Sequence, residues 1–266
     1  QEKAISHNLS KQLDALNADA YRITCMHNDK PTFNVGKAKG KDGEERFYTA
    51  AEVLNQIPKL NYDNGARGYN IFITPIDDMA HYVLLDDLTP QKLAEVKALG
   101  ITPCIEQYSS EGNIQAVVRV AGGTDIQPAA NEWFKYMNKT YGDQNIQALR
   151  HPFRAAGFRN VKPKHIQKDG RYPIVKVIHA ASQSCITALQ HITAIAKEML
   201  INKPKTTKAD TREFLKYIKA NEKDVDLLPD MERVAVGMYA NLAKQYSNEL
   251  NLSQADWMLS KELLQR

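Results

Sequence analysis

The segment YNIFITPIDDMAHYVLLDDLTP, residues 69–90, decides the fold of the N-terminal part of this chain. Tyr69–Thr74 is rich in β-branched and aromatic residues, and Tyr82–Leu85 is a continuous apolar run, so the segment predicts two strands. Between them, the proline and the two aspartates of residues 75–78 are typical of a turn. The segment therefore predicts two strands joined by a short turn, with another pair of aspartates at the end of the second strand.

Helices and strands alternate without an internal repeat on both sides of this segment. Thr89 and Pro90 provide an N-cap and a first-turn proline, which predict a helix that runs to Ala98. Apolar periodicity and turn residues predict the other elements. These are helices over 6–17, 49–54, 126–141 and 183–201, strands over 20–27, 46–49, 101–107, 114–120 and 172–179, and a hairpin loop over 35–45. The order of the elements indicates an α+β fold.

The character of the sequence changes near residue 181. Strand signals end there, and helical segments follow near 183–201, 207–221, 228–248 and 253–265. We therefore predict an α+β domain over residues 1–181 and a helical domain over residues 182–266. The 266 residues, 43% of them apolar, are enough to bury a core without disulfide or metal staples.

Composition and motifs argue against several classes of protein. No apolar run approaches the roughly 18 residues that a membrane-spanning helix needs. Cys25, Cys104 and Cys185 lie far apart without a C-x-x-C pair, which argues against structural zinc and for a reducing compartment. Phosphate-loop, nucleophile-elbow and zinc-helix motifs are absent. Because the chain does not begin with Met, we expect a fragment or a processed chain.

Asp86 and Asp87 form the first candidate site. Two adjacent carboxylates at the end of an apolar strand are costly unless a cation compensates their charge, and Mg²⁺ or Mn²⁺ prefers carboxylate oxygen. Because successive strand residues point to opposite faces, both can reach one metal site only where the strand ends or bulges. The alternative is a solvated turn before the next helix. Asp77 and Asp78 have the same composition, but after Pro75 they are typical of an ordinary turn.

A basic segment, Arg150–Lys176, forms the second candidate site. It holds eight basic residues and one acidic residue, so its net charge is +7. The net charge of the whole chain is +4, so the rest of the chain carries −3. Such a local excess of positive charge is what phosphate binding needs. Phe153, Phe158 and Tyr172 lie within the segment and are predicted to stack on bases. The alternative is a solvated basic loop.

Motifs along most of the chain occur in an order that matches a known family. They are Tyr69–Pro75, His81–Leu88, Glu106, Ser110, Asn113-x-Gln115-Ala116, Tyr141-Gly-Asp143, the run from Arg150 to Lys162, and Asn251–Leu264 in the helical part. In this combination the chain resembles the plasmid replication primases of the RepB type, a branch of the archaeo-eukaryotic primase superfamily. Domains of this type also occur within larger mobilisation proteins, which would suit a chain without a starting Met.

The resemblance implies a fold and a set of site residues. The fold would be a primase/RRM-like mixed sheet with flanking helices, followed by a C-terminal helical bundle. Asp86, Asp87 and Asp143 would be the catalytic residues and the ligands of a two-metal site for Mg²⁺ or Mn²⁺. The nucleotide- and phosphate-binding residues would be Ser110, Asn113, Gln115, Arg150, His151, Arg154 and Lys162. Nucleotidyl transfer of this kind uses two divalent ions about 3.5–4 Å apart, which three carboxylates can hold.

The favoured hypothesis is therefore a DNA primase, a metal-dependent enzyme that makes a short primer on single-stranded DNA for plasmid or mobile-element replication. Its expected partners are the single-stranded DNA template, nucleoside triphosphates and a plasmid helicase or relaxase, without a membrane, in the bacterial cytoplasm. One alternative is a non-catalytic single-stranded nucleic-acid-binding module that uses Tyr69, Phe72 and Tyr82 of an RRM-like sheet. Another is an interaction protein whose helical half is a docking bundle.

Overall fold

A computed structural model of the chain describes residues 1–36, 45–146 and 148–201. Six α-helices lie within these ranges: α1 Glu2–Leu16, α2 Ala50–Asn55, α3 Ile57–Gly65, α4 Pro90–Ala98, α5 Gln127–Tyr141 and α6 Ile186–Ile201. Eight strands lie in the same ranges: β1 Ala20–Met26, β2 Phe33–Asn34, β3 Asn70–Ile76, β4 Ala80–Leu88, β5 Ile105–Ser110, β6 Asn113–Ala121, β7 Phe153–Arg154 and β8 Lys176–Ala180. Short 3₁₀ turns occur at Thr124–Ile126 and Pro163–His165.

The strands form two four-stranded sheets, and the pairings within the described ranges are antiparallel. The first sheet has the order β2-β1-β3-β7 and the second has the order β4-β6-β5-β8. Strands β3 and β4 follow each other in sequence but pair in different sheets, β3 with β1 and β4 with β6. The predicted turn at residues 75–78 therefore carries the chain from one sheet to the other.

One hydrophobic core joins the two sheets and the helices around them. Leu9, Leu13 and Leu16 recur at helical spacing in α1 and are fully buried, which explains why this segment is a helix. Helix α1 contacts α2 and α3 as well as strands β5 and β8. Helix α5 places Trp133 and Phe134 in the core and packs on β4. The core therefore fixes α5 against the strand that carries the acidic pair.

The sixth helix packs in the same compact unit, which comprises Gln1–Ile201. Cys185, just before α6, and Ala188 and Ile192 within it are buried, and α6 contacts α5 and β6. The predicted boundary between the α+β domain and the helical domain, after residue 181, lies before α6. The structure places α6 in the same compact unit as the residues that precede it. The other predicted helices, over 207–221, 228–248 and 253–265, lie outside the described residues. The helical domain therefore stays a prediction.

The α+β fold predicted from the sequence is confirmed, and the structure differs from the prediction in detail. Over 46–49 the structure has a single bridge, between Tyr48 and Tyr21, in place of the predicted strand. Strand β5 begins at Ile105, after the predicted start at Ile101. Helix α2 begins as predicted, because Thr49 and Glu52 form a capping box that satisfies the first free amide groups.

Helix α3 was not predicted from the sequence. Pro58 and Gly65 suggest a loop, and only Ile57 and Leu60 of the helix are buried apolar residues. The buried face is completed by two polar residues, Asp63 and Asn64. A periodicity search counts apolar residues only, so it misses a helix whose buried face is half polar.

The three cysteines are buried and free. Burial raises the pKa of the Cys25 and Cys104 thiols to about 12, so neither is a nucleophile at neutral pH. Cys104 is a core residue without exposed surface. Within the described ranges, the helices are too short or too polar to cross a lipid bilayer.

Candidate active site

A cavity of about 450 Å³ opens between residues of both sheets. Two groups of charged residues line it. The acidic wall consists of Asp86, Asp87 and Asp143, and the basic wall consists of Arg154, Lys162, Lys164 and His165. A single cavity thus brings together the two sequence regions with opposite charge.

The acidic pair lies on a β-bulge. The register between β4 and β6 shifts between Leu85 and Leu88, and Asp87 has a positive φ of 54°. The Asp87 amide donates a hydrogen bond of 2.8 Å to Oδ1 of Asp86. Because the bulge breaks the alternation of a regular strand, both carboxylates line the same cavity. The bulge therefore brings both acidic residues to one cavity, as predicted for a strand that ends or bulges there.

Helix α5 holds the bulge in place through Asn138. The Asn138 side chain donates to the carbonyl oxygen of Leu84 at 2.7 Å and accepts from the Asp86 amide at 3.3 Å. At the end of the same helix, a Cβ on Gly142 would lie 2.7 Å from the carbonyl oxygen of Asp86 and 2.6 Å from Asn138 Oδ1. Only glycine fits there without a shift of the bulge. The next residue, Asp143, is the third acid of the acidic wall.

The electrostatics of the acidic wall favour a cation. Burial and the neighbouring Asp87 carboxylate raise the pKa of Asp86, and hydrogen bonds from the Asp87 amide and from Gln115 oppose this shift. Asp86 is therefore half-buried beside a like charge that the protein does not fully compensate. Burial lowers the pKa of His151, although the nearby carboxylates of Asp86 and Asp143 oppose it, so His151 is mostly neutral at pH 7.

Arg154 is the buried centre of the basic wall. Its Nη1 donates to Asn70 Oδ1 at 2.7 Å, and its guanidinium lies 5.0 Å from the centre of the Phe72 ring. Burial lowers the pKa of Arg154 to about 10, while the carboxylates of Asp86 and Asp87 oppose this shift. Arg154 therefore stays charged at neutral pH and is available to a phosphate.

Lys162, Lys164 and His165 complete the basic wall on the 3₁₀ turn and the residue before it. Partial burial and the charges of Arg154 and Lys164 lower the pKa of Lys162. Partial burial is the largest cause that lowers the pKa of His165, and the charges of Lys164, Arg154 and Lys162 lower it further. The mutual repulsion of these groups would be relieved by a polyanionic ligand such as a triphosphate.

Seven of the ten predicted site residues line the cavity. They are Asp86, Asp87, Gln115, Asp143, His151, Arg154 and Lys162. The other three do not. Asn113 donates to the Ser110 hydroxyl at 3.0 Å in the β5–β6 hairpin, and Arg150 lines a small neighbouring cleft with Asp77 and His81. Their predicted contact with nucleotide therefore gains no support from their positions.

Several residues of the cavity were not predicted. Lys164 and His165 lie inside the basic segment, so the positive charge of that segment is the sequence feature that could have indicated them as site residues. The end of β1 contributes Met26, the loop after it contributes His27, Asn28 and Thr32, and β3 contributes Asn70 and Phe72. Nothing in the spacing of these residues indicates a site, because the two sheets bring them together only in the folded chain.

The predicted stacking of Phe153 and Phe158 on bases is wrong. Both rings are buried in the core, with 1% of their surface exposed, so they anchor the basic segment to the protein. Tyr69 and Tyr82 are also buried, and the Arg154 guanidinium covers Phe72. These aromatic residues therefore offer no open stacking platform of the RRM type. Asp77 forms the predicted turn, where it accepts a hydrogen bond of 2.8 Å from the Met79 amide.

The acidic wall fits a divalent cation by its chemistry. Three carboxylates around one cavity supply the hard oxygen ligands that Mg²⁺ and Mn²⁺ prefer. Burial, and then the neighbouring Asp87 carboxylate, raises the pKa of Asp86, and a bound cation would oppose both effects. No compact group of three or more His, Cys, Asp or Glu side chains occurs in the part of the chain that the structure describes. The cavity therefore offers the ligands without a closed all-protein cage, which is typical of sites completed by a nucleotide.

Comparison with known proteins supports the primase family that the sequence motifs resemble. Residues 11–201 match the family model described as the RepB DNA-primase N-terminal domain. A DNA primase of Acidithiobacillus ferrooxidans is 31% identical over 259 residues, which is 93% of this chain and 70% of that protein. Mobilization protein A of Escherichia coli is 33% identical over 146 residues, which is 54% of this chain and 20% of that protein.

Two solved structures have the same fold. The catalytic domain of primase RepB′, in complex with initiator DNA, has a TM-score of 0.62 at 23% identity and covers 75% of this chain and 99% of that chain. Primase RepB′ itself has a TM-score of 0.62 at 22% identity and covers 97% of this chain and 81% of that chain. The family match and the similarity to the Acidithiobacillus primase, together with the shared fold, define a DNA-directed nucleotidyltransferase of the primase class. The chain belongs to the RepB DNA-primase family.

Proposed function

We propose that the cavity is the polymerising site of this primase, with the acidic wall as its metal site and the basic wall as its triphosphate site. In this proposal Asp86, Asp87 and Asp143 hold two divalent cations, Mg²⁺ or Mn²⁺. When bound, the cations supply charge neutralisation and activation of the primer 3′-oxygen, the two demands of nucleotidyl transfer. Both walls line one cavity, so an incoming nucleotide could meet both.

The basic wall binds and orients the incoming nucleotide. Arg154 carries a planar fork of donors that suits a phosphate, and Asn70 holds it in place through the 2.7 Å hydrogen bond. Lys162 and Lys164 add positive charge to the lining of the same cavity. His151, neutral at pH 7, can donate one hydrogen bond to a phosphate oxygen without adding charge. Together these residues offset the negative charge that accumulates on the leaving pyrophosphate.

The main observation that supports the proposal is the β-bulge at Asp86 and Asp87. A regular strand would send these neighbouring carboxylates to opposite faces of the sheet. The bulge, with Asp87 in the left-handed region, turns both toward one cavity whose other side is basic. A positive φ at a non-glycine residue costs free energy, which is a sign of a functional requirement.

The test is template-directed synthesis on single-stranded DNA with labelled nucleotides, with and without Mg²⁺ or Mn²⁺. The double variant Asp86→Asn/Asp87→Asn should lose about 10³-fold or more in rate, since metal-ion catalysis contributes several kcal/mol to the transition state. The matched control is Asp77→Asn/Asp78→Asn, which removes the same two charges from the turn. Asparagine can retain the acceptor to the Met79 amide there. The control should retain the wild-type rate.

Two results would contradict the proposal. One is full synthesis by the Asp86/Asp87 variant, and the other is equal loss in both variants, which would indicate an effect of net charge alone. DNA binding in chelator provides a separate readout. We expect DNA binding by the Asp86/Asp87 variant to persist without metal, because the basic wall and not the acidic wall contacts phosphate.

The proposed partners follow from the relatives. The RepB′ catalytic domain is described in complex with initiator DNA, and we propose single-stranded DNA as the template of this chain. Nucleoside triphosphates are the proposed substrates, because the basic wall fits a triphosphate. We also propose a relaxase or a plasmid helicase as a partner in the bacterial cytoplasm, and the similarity to Mobilization protein A is compatible with this.

A further inference from the structure

The environment of Arg154 is unusual for a buried cation. The residue exposes 4% of its surface. Within the described ranges, no carboxylate oxygen lies within 4.0 Å of its guanidinium nitrogens. Arginine is almost never fully buried unless it is paired, because removal of a charge from water is costly without a counter-ion. Arg154 therefore lacks the partner that a buried structural arginine usually has.

Neutral carboxamides contact Arg154 in place of carboxylates. Four of them expose 3% of their surface or less: Gln12, Asn70, Gln107 and Gln115. Gln12 and Gln107 donate to the Arg154 carbonyl oxygen at 2.9 and 2.8 Å. The Arg154 amide donates to Gln115 Oε1 at 3.2 Å, and its Nη1 donates to Asn70 Oδ1 at 2.7 Å. A carboxamide makes hydrogen bonds without a net charge, so these contacts fix Arg154 and leave its positive charge intact.

Two donors fix the orientation of the Asn70 carboxamide. Its Oδ1 accepts from Nη1 of Arg154 at 2.7 Å and from the amide of Val161 at 3.0 Å. Both partners can only donate, so the oxygen of Asn70 must face them. Asn70 therefore connects β3 to two parts of the basic segment, Arg154 and the backbone just before Lys162.

The Phe72 ring holds the guanidinium from a second direction. The centre of this ring lies 5.0 Å from Cζ of Arg154, and the ring is also neutral. Asn70, Phe72 and Arg154 line the same cavity. In the part of the chain that the structure describes, Asn70 Oδ1 is the protein acceptor of the guanidinium. A guanidinium has five N–H donors, so the others are available to a ligand.

We propose that Asn70 is a positioning residue that holds the Arg154 guanidinium in the cavity without cancelling its charge, so that a phosphate of the incoming nucleotide becomes its counter-ion. The inference rests on the proposed function of the cavity. An aspartate at position 70 could make the same two hydrogen bonds, but it would form an internal ion pair with Arg154. The neutrality of Asn70 thus keeps Arg154 for an anionic ligand.

The first test is Asn70→Asp, which keeps the shape and the acceptor but adds a charge. We expect the melting temperature to equal or exceed that of the wild type, because the carboxylate supplies the counter-ion that Arg154 lacks. The affinity for inorganic triphosphate, measured by calorimetry in chelator, should fall about 10- to 100-fold, because the ligand must compete with an internal ion pair. The kcat/KM for nucleotide in primer synthesis should fall to a similar extent.

The second test is Asn70→Leu, which removes the acceptor and adds no charge. It leaves the Val161 amide without its side-chain partner, so the melting temperature should fall. Arg154 loses one hydrogen bond but keeps its charge, so the triphosphate affinity should fall less than in Asn70→Asp. If Asn70 only stabilised the fold, the loss of affinity would follow the loss of stability, and Asn70→Leu would be the weaker binder.

The matched control is Asn131→Asp in α5. Asn131 also accepts a backbone amide through Oδ1, that of Leu149 at 3.2 Å, and it does not line the cavity. The substitution retains this acceptor and adds the same negative charge to the chain. Both the triphosphate affinity and kcat/KM should stay at the wild-type values.

Three results would overturn the inference. One is wild-type triphosphate affinity in Asn70→Asp, and another is a larger loss of affinity in Asn70→Leu than in Asn70→Asp. The third is an equal loss in Asn70→Asp and Asn131→Asp, which would indicate an effect of net charge. An Asn70→Asp chain that does not fold also contradicts the inference, because a carboxylate beside an uncompensated cation should not destabilise the fold.

Failure of the proposed function is distinguishable from failure of the inference. A wild-type chain that makes no primer contradicts the function. The triphosphate titration needs neither metal nor synthesis, so it still decides whether Asn70 preserves the charge of Arg154 for a phosphate.

Discussion

Two of the three residues of the acidic wall belong to a regular strand, whereas the basic wall belongs to a segment with almost no regular structure. Asp86 and Asp87 lie on the bulge of a nine-residue strand that pairs with β6 on both sides of them. Arg154 lies in a two-residue strand, and Lys162, Lys164 and His165 surround a 3₁₀ turn. The paired residues beside the bulge and Asn138 position Asp86 and Asp87. Buried side chains from distant segments position the basic residues.

This difference shows two ways of building a precise site. A bulge needs only local residues and one close approach, here by Asn138 and Gly142. An irregular segment has few backbone partners of its own, so polar side chains such as Asn70 and Asn160 supply them. We therefore expect the acidic wall to be sensitive to changes in close packing, and the basic wall to changes in its buried anchors.

The largest expected effect concerns two arginines of the basic segment. Arg154→Ala should lower kcat/KM for nucleotide by about 10³-fold, because it removes a preorganised charge from the cavity. Arg150→Ala, in the neighbouring cleft, should have little effect. Steady-state kinetics of both variants test whether the cavity or the segment as a whole binds nucleotide. Equal losses in the two variants would contradict this division.

The second prediction concerns the aromatic residues that anchor the basic segment to the core. Phe158→Ala should lower the free energy of unfolding by about 3–5 kcal/mol, the usual cost of deleting a buried ring. Tyr172→Ala removes a half-exposed ring from the same segment and should cost much less. Urea unfolding of both variants provides the measurement. A loss of DNA affinity without a loss of stability in Phe158→Ala would restore the stacking hypothesis.

The third prediction concerns the packing of the acidic wall. Gly142→Ala places a methyl group against the Asp86 carbonyl and Asn138, so the bulge must move. A displacement of about 1 Å near a reacting centre can cost about 10²-fold in rate, and we expect a loss of that size. The control is Gly112→Ala at the hairpin tip, where a Cβ meets nothing within 4 Å and where positive φ makes the substitution strained. Primer synthesis normalised to folded protein should fall only for Gly142→Ala.

The smallest expected effect concerns the β5–β6 hairpin. Ser110→Ala/Asn113→Ala removes the 3.0 Å hydrogen bond between these side chains and should cost about 1 kcal/mol of stability. The KM for nucleotide should stay at the wild-type value, because neither residue lines the cavity. A clear rise in KM would show that the hairpin reaches the nucleotide and that the cavity extends further during synthesis.

The sequence predicted the acidic wall better than the basic wall. Asp86 and Asp87 are adjacent and end an apolar strand, so a short local pattern was enough to find them and to require a bulge. Arg150 and Arg154 look alike in the sequence, yet the structure places them in different clefts. Phe158 was predicted to stack and is instead a core residue, because composition does not say which side of an irregular segment is buried.

By itself, the sequence determined the α+β class, the family resemblance, the acidic pair and the charge separation of +7 against −3, since these depend on local pattern and composition. The tertiary structure alone decided which basic residues share a cavity with the carboxylates and how Gln12 and Gln107 connect α1 to the backbone of Arg154. Those contacts join positions far apart along the chain, such as Gln12 and Ala156. Long-range hydrogen bonds of this kind have no period and no spacing, so they become visible only when the core has brought both sheets together.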